Sequence, residues 1–220
     1  MKTRSVSRMR LATAAVALIA ASAARASGPD QKTFDLLPNP PFVGCLAAFP
    51  DDPSRPPQAT VTVVRGKLND QLQIQLRNIK PGLDFDLFTV EHSALRSDGT
   101  AIPPAEFAQG GSFGLAWYQS DLEVKNDHRN VTKIQTVLVD QIFGFDSATS
   151  LPPTNTFHVG FWFNSPDQAA DCGFTGHTPF NGEHQAGPLA FITRPDATTG
   201  LGPLCTDPHN EGGGVFSCNP

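Results

Sequence analysis

The sequence predicts an all-β protein: an antiparallel β-sandwich of Greek-key, immunoglobulin-like type with long loops and one or two short helical turns. Three observations carry that expectation. The stretch 71–78 alternates strictly, with Leu72, Ile74 and Leu76 on one side and Gln71, Gln73, Gln75 and Arg77 on the other, the mark of a strand with one wet face. All 20 Pro, 19 Gly and 16 Phe lie after residue 26, a mixture too rich in proline for a helical bundle and too aromatic for disorder. Seven to nine β-like runs recur at intervals of about 10 to 20 residues, with no βαβ alternation and no internal repeat.

Residues 1–26 read as an export signal. Lys2, Arg4, Arg8 and Arg10 precede an apolar stretch, 11–24, and Ala24-Arg25-Ala26 places small residues where a signal peptidase requires them. That stretch is short of the roughly 20 residues a spanning helix needs, so no transmembrane anchor is expected. Removing the signal leaves 11 basic against 21 acidic residues, a net charge of −10. Such a surface repels phosphate backbones and anionic lipid, which argues against nucleic acid as a partner. The expected localisation is secreted, extracellular or periplasmic.

Residues 27–59 hold Pro29, Pro38, Pro40, Pro41, Pro50, Pro53, Pro56 and Pro57 and read as an extended arm pinned by Phe42 and Cys45. The β domain is expected over 60–194. Its first strands are 60–65 and 71–78, after which Pro81-Gly82 turns the chain into a third, 84–92, with Phe88 and Val90 on one side. A long excursion, 93–111, with a helical turn after Pro104, exceeds the usual connection and suggests a functional or cross-layer role. Strands follow at 113–118, 122–125 and 131–140. The most apolar is 157–164, with Phe157, Val159, Phe161 and Phe163 on one side and His158, Gly160 and Trp162 on the other, so both faces are expected to be covered. Ser165-Pro166-Asp167-Gln168 starts a short helix that Cys172-Gly173 stops. The last strand is 188–193, and 195–220 is a Gly- and Pro-rich tail tied by a disulfide.

An exported chain with four cysteines favours disulfides over free thiols. Of three possible pairings, Cys205–Cys218 closes a short Gly-rich loop, worth roughly 3 kcal/mol in the chain-entropy model, and leaves Cys45–Cys172. No two cysteines have the close spacing of a structural zinc site.

The strand pair from Val61, the turn Asn78-Ile79-Lys80-Pro81-Gly82, and the strand ending Thr89-Val90-Glu91-His92 resemble the opening of Cu/Zn-superoxide-dismutase-like sandwiches and the related CHRD domains. The hairpin 122–139 and the strand 157–164 fall in compatible order, and about 100 residues share the layout. The resemblance implies a sandwich. It does not bring the family's metal site, because the His-x-His pair would fall at Thr89 and Glu91.

The densest set of candidate ligands is the loop His177-Thr178-Pro179-Phe180-Asn181-Gly182-Glu183-His184. His177, Glu183 and His184 would bind copper or zinc if the loop folds back and His158, His92 or Asp171 supplies a further ligand. The competing reading is an ordered surface loop. His158, inside an apolar strand, reads equally as a buried, hydrogen-bonded imidazole. Gly110-Gly111-Ser112-Phe113-Gly114 matches the hydrolase nucleophile elbow by spacing only, since a loop precedes it and a strand follows. Asp84 and Asp86 share a strand face, as a glycosidase pair would, or as plain solvated charge. Asn130-Val131-Thr132 is a glycosylation sequon by spacing. The aromatics Phe113, Trp117, Tyr118, Phe143, Phe145, Phe161, Trp162 and Phe163 supply either a core or a stacking platform. Trp117 and Tyr118 face opposite ways, so an exposed ring is expected at one of them.

With no complete catalytic constellation, the expectation is a secreted, non-enzymatic protein that binds a ligand or an envelope or extracellular partner. The alternatives are a copper- or zinc-binding redox sandwich built on the 177–184 loop and, behind it, a secreted hydrolase.

Overall fold

A computed structural model describes residues 31–66, 69–125, 131–139, 157–178 and 185–204. Eight strands dominate it: β1 Gln31–Pro38, β2 Gln58–Val64, β3 Asp70–Arg77, β4 Asp84–Val90, β5 Ala116–Glu123, β6 Val131–Leu138, β7 His158–Phe163 and β8 Leu189–Ile192. The helices are short: α1 Val43–Leu46, α2 Pro104–Gln109, and 3-10 turns at Pro40–Phe42 and Pro166–Cys172. The fold is therefore all-β. No described helix is long and apolar enough to cross a membrane.

All strand pairs are antiparallel, and together they form one eight-stranded sheet in the order β5-β4-β7-β8-β1-β2-β3-β6. The sheet curls until its two end strands nearly meet. The Gln119 carboxamide of β5 bridges that seam: Nε2 donates to the Val139 carbonyl at 2.7 Å, and Oε1 accepts from Val139 N–H at 2.8 Å. A side chain thus reproduces one rung of a ladder where two edges would otherwise be left open.

The segment expected as a proline-rich arm contributes a central strand. Residues 31–36 of β1 pair with β2, and Leu37 and Pro38 pair with Ile192 and Phe191 of β8. Proline punctuates this run rather than interrupting it, since Pro38 is its last residue and the bond that follows is made by Asn39 N–H to the Ala190 carbonyl, 2.7 Å. Two of the expected strands, 113–118 and 122–125, are one strand with a bulge at Gln119. Part of the expected tail is also packed into the fold, as Leu204 is buried and bridges Phe157.

The interior is the alternation of β3 repeated around the curl. Leu72, Ile74 and Leu76 are buried with Val61, Val63, Phe85, Leu87, Phe161, Phe163 and Phe191. Fully burying one such side chain contributes roughly 1.5–3 kcal/mol. Every residue of β7 is buried, because a second, smaller cluster of Val90, Leu95, Trp162 and Ile192 covers its other side. The long excursion provides that cover. It is held by Ser93 Oγ donating to the Thr193 carbonyl, by a two-pronged Arg96–Glu106 pair, and by Leu115 N–H donating to the Glu91 carboxylate.

Cys45 and Cys172 form a disulfide joining α1 to the 3-10 turn Pro166–Cys172. Phe42 packs edge-on against Phe163 and Phe174 beside it, so the expected pins at Phe42 and Cys45 are both in place. Ser165 caps the turn by accepting from Asp167 N–H, and Gly173, at φ +81°, ends it. The other expected pair, Cys205 and Cys218, lies outside the described residues, as do residues 1–30.

Candidate ligand-binding groove

The β4–β5 pair lays out the outward face of the site in four rungs. Its register sets Val90 opposite Ala116, Phe88 opposite Tyr118, Asp86 opposite Asp121 and Asp84 opposite Glu123. Period-2 alternation alone would send Tyr118 and Asp121 to opposite faces, being three residues apart. The bulge at Gln119 absorbs one residue and returns both to the outside. Trp117 and Leu122 turn inward instead and join the core. Of the expected aromatic pair, Trp117 is 7% exposed and Tyr118 is 51% exposed.

From Tyr118 a row of rings runs across the outer face. Tyr118 meets Phe88 at 5.6 Å between centroids, Phe88 meets Trp162 at 5.5 Å, Trp162 meets Phe113 at 5.0 Å and Phe113 meets Phe107 at 4.8 Å. Each contact is edge-to-face, the arrangement the ring quadrupole favours. The row needs Gly160, over which the Trp162 indole lies so closely that a Cβ there would come within 2.7 Å of the ring. Beside the row is an apolar groove of about 460 Å³, lined by Phe88, Val90, Phe107, Phe113, Trp162 and Ala116, with Ser112 and Thr178 also in its lining. That volume is within the range of small-ligand sites, about 300–1,000 Å³. Thr178 is held to the fold by its N–H and hydroxyl, which donate to the carbonyls of Ala186 and Gly187.

The electrostatics change sharply along the face. Past Tyr118 stand two like-charged rungs, Asp86/Asp121 and Asp84/Glu123. Burial, then the Glu123 charge opposite, raise the Asp84 pKa above the usual carboxylate value. Desolvation, followed by the hydrogen bond and charge of Asp121 and the charge of Asp86, pushes the Tyr118 hydroxyl up to about 12. Asp86 is 2% exposed and accepts from Asn164 Nδ2 at 2.9 Å.

The candidate ligands for copper or zinc occupy several places. His158 is 3% exposed, with Nδ1 3.0 Å from Thr193 Oγ1, and burial holds its pKa down at about 4. His92 is exposed, and its Nδ1 faces the Ser112 carbonyl at 3.1 Å. His177 is exposed, while Glu183 and His184 lie outside the described residues. Among the described residues no three His, Cys, Asp or Glu side chains gather closely enough to share a metal ion.

Ser112 sits at φ +55° between α2 and β5, so its neighbours follow the order expected for a loop and not for a nucleophile elbow. Glu91 and His92 point to different partners, Leu115 N–H and the Ser112 carbonyl. Of the aromatics singled out in the sequence, Trp117, Phe161 and Phe163 belong to the interior, and Phe113, Tyr118 and Trp162 to the outer row. Phe143 and Phe145 lie outside the described residues. Phe88 and Phe107 complete the row without having been singled out; the pairing of Phe88 with Val90 on one strand face was the available signal.

No protein-family model, curated protein or solved structure matches this chain.

Proposed function

We propose that this is an exported, non-enzymatic β-protein that binds a small ligand on its outer aromatic face. In this reading the curled sheet is a variant of the Greek-key sandwich, with β1 shared between its layers, and likeness to superoxide-dismutase-like domains extends to architecture only. The Cys45–Cys172 disulfide suits an oxidising compartment.

One observation carries the reading. Five rings in edge-to-face contact run from a half-exposed Tyr118 to an open apolar groove, on the outside of a sheet whose interior is already filled. The second aromatic layer covers β7, and the opening it leaves has the size and lining that suit a flat ligand face.

Saturation-transfer NMR with indole, benzyl alcohol and a methyl glucoside tests it. At least one probe is expected to bind, to lose about tenfold in affinity in Phe113→Ala, on the scale of one lost aromatic contact, and to be unaffected by Gln73→Ala on the polar face of β3. Binding indifferent to Phe113, or no binding at all, overturns the groove. Turnover of a bound probe overturns the non-enzymatic part.

A further inference from the structure

The outer face of β4–β5 is apolar at one end and acidic at the other, with Tyr118 at the join, and this order specifies more than a flat ligand. We infer that the groove takes a small organic cation, an ammonium group joined to an aromatic or compact apolar body, with the body against Phe88 and Trp162 and the charge over Tyr118 beside Asp121. The inference rests on the groove reading and adds the sign of the ligand's charge.

The register supplies the scale. Successive outward rungs are two residues apart, about 7 Å at the rise of an antiparallel strand. Phe88 and Tyr118 share one rung, their ring centroids 5.6 Å apart, so a ring seated on Phe88 leaves a charge one or two carbon atoms away within the roughly 6 Å reach of a cation–π contact with Tyr118. The next rung brings the Asp121 and Asp86 carboxylates, both close enough to perturb the Tyr118 hydroxyl. The groove itself is lined mainly by aromatic and aliphatic side chains and carries no charged one. An anionic ligand would meet the exposed Asp121 and Glu123 carboxylates on leaving it.

Energetics point the same way. The Asp84/Glu123 pair sets two carboxylates opposite each other across neighbouring strands, and the Glu123 charge helps hold the Asp84 pKa up in the free protein. A cation at the Tyr118 rung offsets that repulsion and gains the ring face as well. The groove's size suits a free small molecule rather than a protein surface.

The test uses the intact chain and three probes of one shape: benzyltrimethylammonium, its neutral isostere neopentylbenzene, and benzylsulfonate, titrated by NMR at low salt. The ammonium probe is expected to bind about tenfold more tightly than the isostere, a preference that shrinks as salt is raised, with the sulfonate weakest. Asp121→Asn should cut the preference to about twofold while leaving the isostere's affinity unchanged. Glu123→Gln, one rung further out, gives an independent reading in the same direction. Equal binding of the ammonium and neutral probes overturns the inference and leaves the groove standing. Binding of none of the three, in a protein whose melting temperature is normal, removes the groove and the inference together.

Discussion

Trp162 lies over Gly160 so closely that the side chain of any other residue at that position would meet the indole ring. Because β7 is buried on both faces, the indole can retreat only toward Phe88, Phe113 and the groove beside them. Gly160→Ala is therefore expected to destabilise the fold by about 1–3 kcal/mol, the usual cost of overpacking. It should also shift the near-ultraviolet circular dichroism of the tryptophans and weaken probe binding in the groove. A variant as stable as the parent, with an unchanged aromatic spectrum, would show that the ring has room to spare.

Gln119 predicts a second effect, at the seam of the sheet. Its carboxamide makes both bonds to the Val139 backbone and also donates to Thr89 Oγ1 at 2.9 Å. Gln119→Ala leaves those partners to find water and should cost about 1–3 kcal/mol. The more diagnostic readout is amide exchange: Val139 and the facing edge of β6 should lose protection before the β2–β3 core does. Uniform loss of protection across the sheet would mean that the seam is not a separate closing element.

Much of this architecture was legible because local patterning and tertiary burial agree. β3 shows its inner face in Leu72, Ile74 and Leu76, and β7 shows two covered faces in a run with hardly a polar residue. Ser165 and Gly173 mark the ends of one helical turn by capping chemistry alone. What escaped depends on distant pairing. The prolines around β1 suggested an arm because a sequence does not reveal that Leu37 and Pro38 reach β8 while the preceding residues pair with β2. The join between the aromatic row and the acidic rungs was hidden by the bulge at Gln119, since Tyr118 and Asp121 share a face only once that residue is skipped. A single sequence locates neither the bulge nor the excursion that lays Phe107 and Phe113 over Trp162.

The disulfide gives a third prediction. Cys45 and Cys172 are separated by 127 residues, and in the chain-entropy model a loop of that order stabilises by about 4–5 kcal/mol through the unfolded state. Cys45→Ala combined with Cys172→Ala should lower the unfolding free energy by roughly that amount in urea titrations, with both 3-10 turns losing amide protection first. Using the double variant rather than a reductant keeps Cys205 and Cys218 out of the comparison. A loss below about 1 kcal/mol would mean that Phe42, between Phe163 and Phe174, holds this corner unaided.

His158 sets the acid sensitivity of the covered face. Desolvation lowers its pKa from 6.5 to about 4, and the nearby His92 adds to the depression while a Thr193 hydrogen bond opposes it. The folded protein therefore keeps this imidazole neutral over a range in which the unfolded chain takes up a proton, so stability is full above about pH 6.5 and falls as the pH drops toward 4. Down to pH 4.5 the loss is on the order of 2–3 kcal/mol. Asp52, Asp98 and Asp196, held below their ordinary 3.8 chiefly by hydrogen bonds from Ser54, Thr100 and Thr199, destabilise the fold in the same direction but only at lower pH. Urea unfolding of the parent and of His158→Asn at pH 7 and pH 4.5 separates the contributions. The parent should lose about 2–3 kcal/mol more than the variant between those two values, because the variant has no imidazole to protonate in the unfolded chain. Parallel losses would place the acid sensitivity elsewhere and show His158 to be accessible to protons while the sheet remains folded.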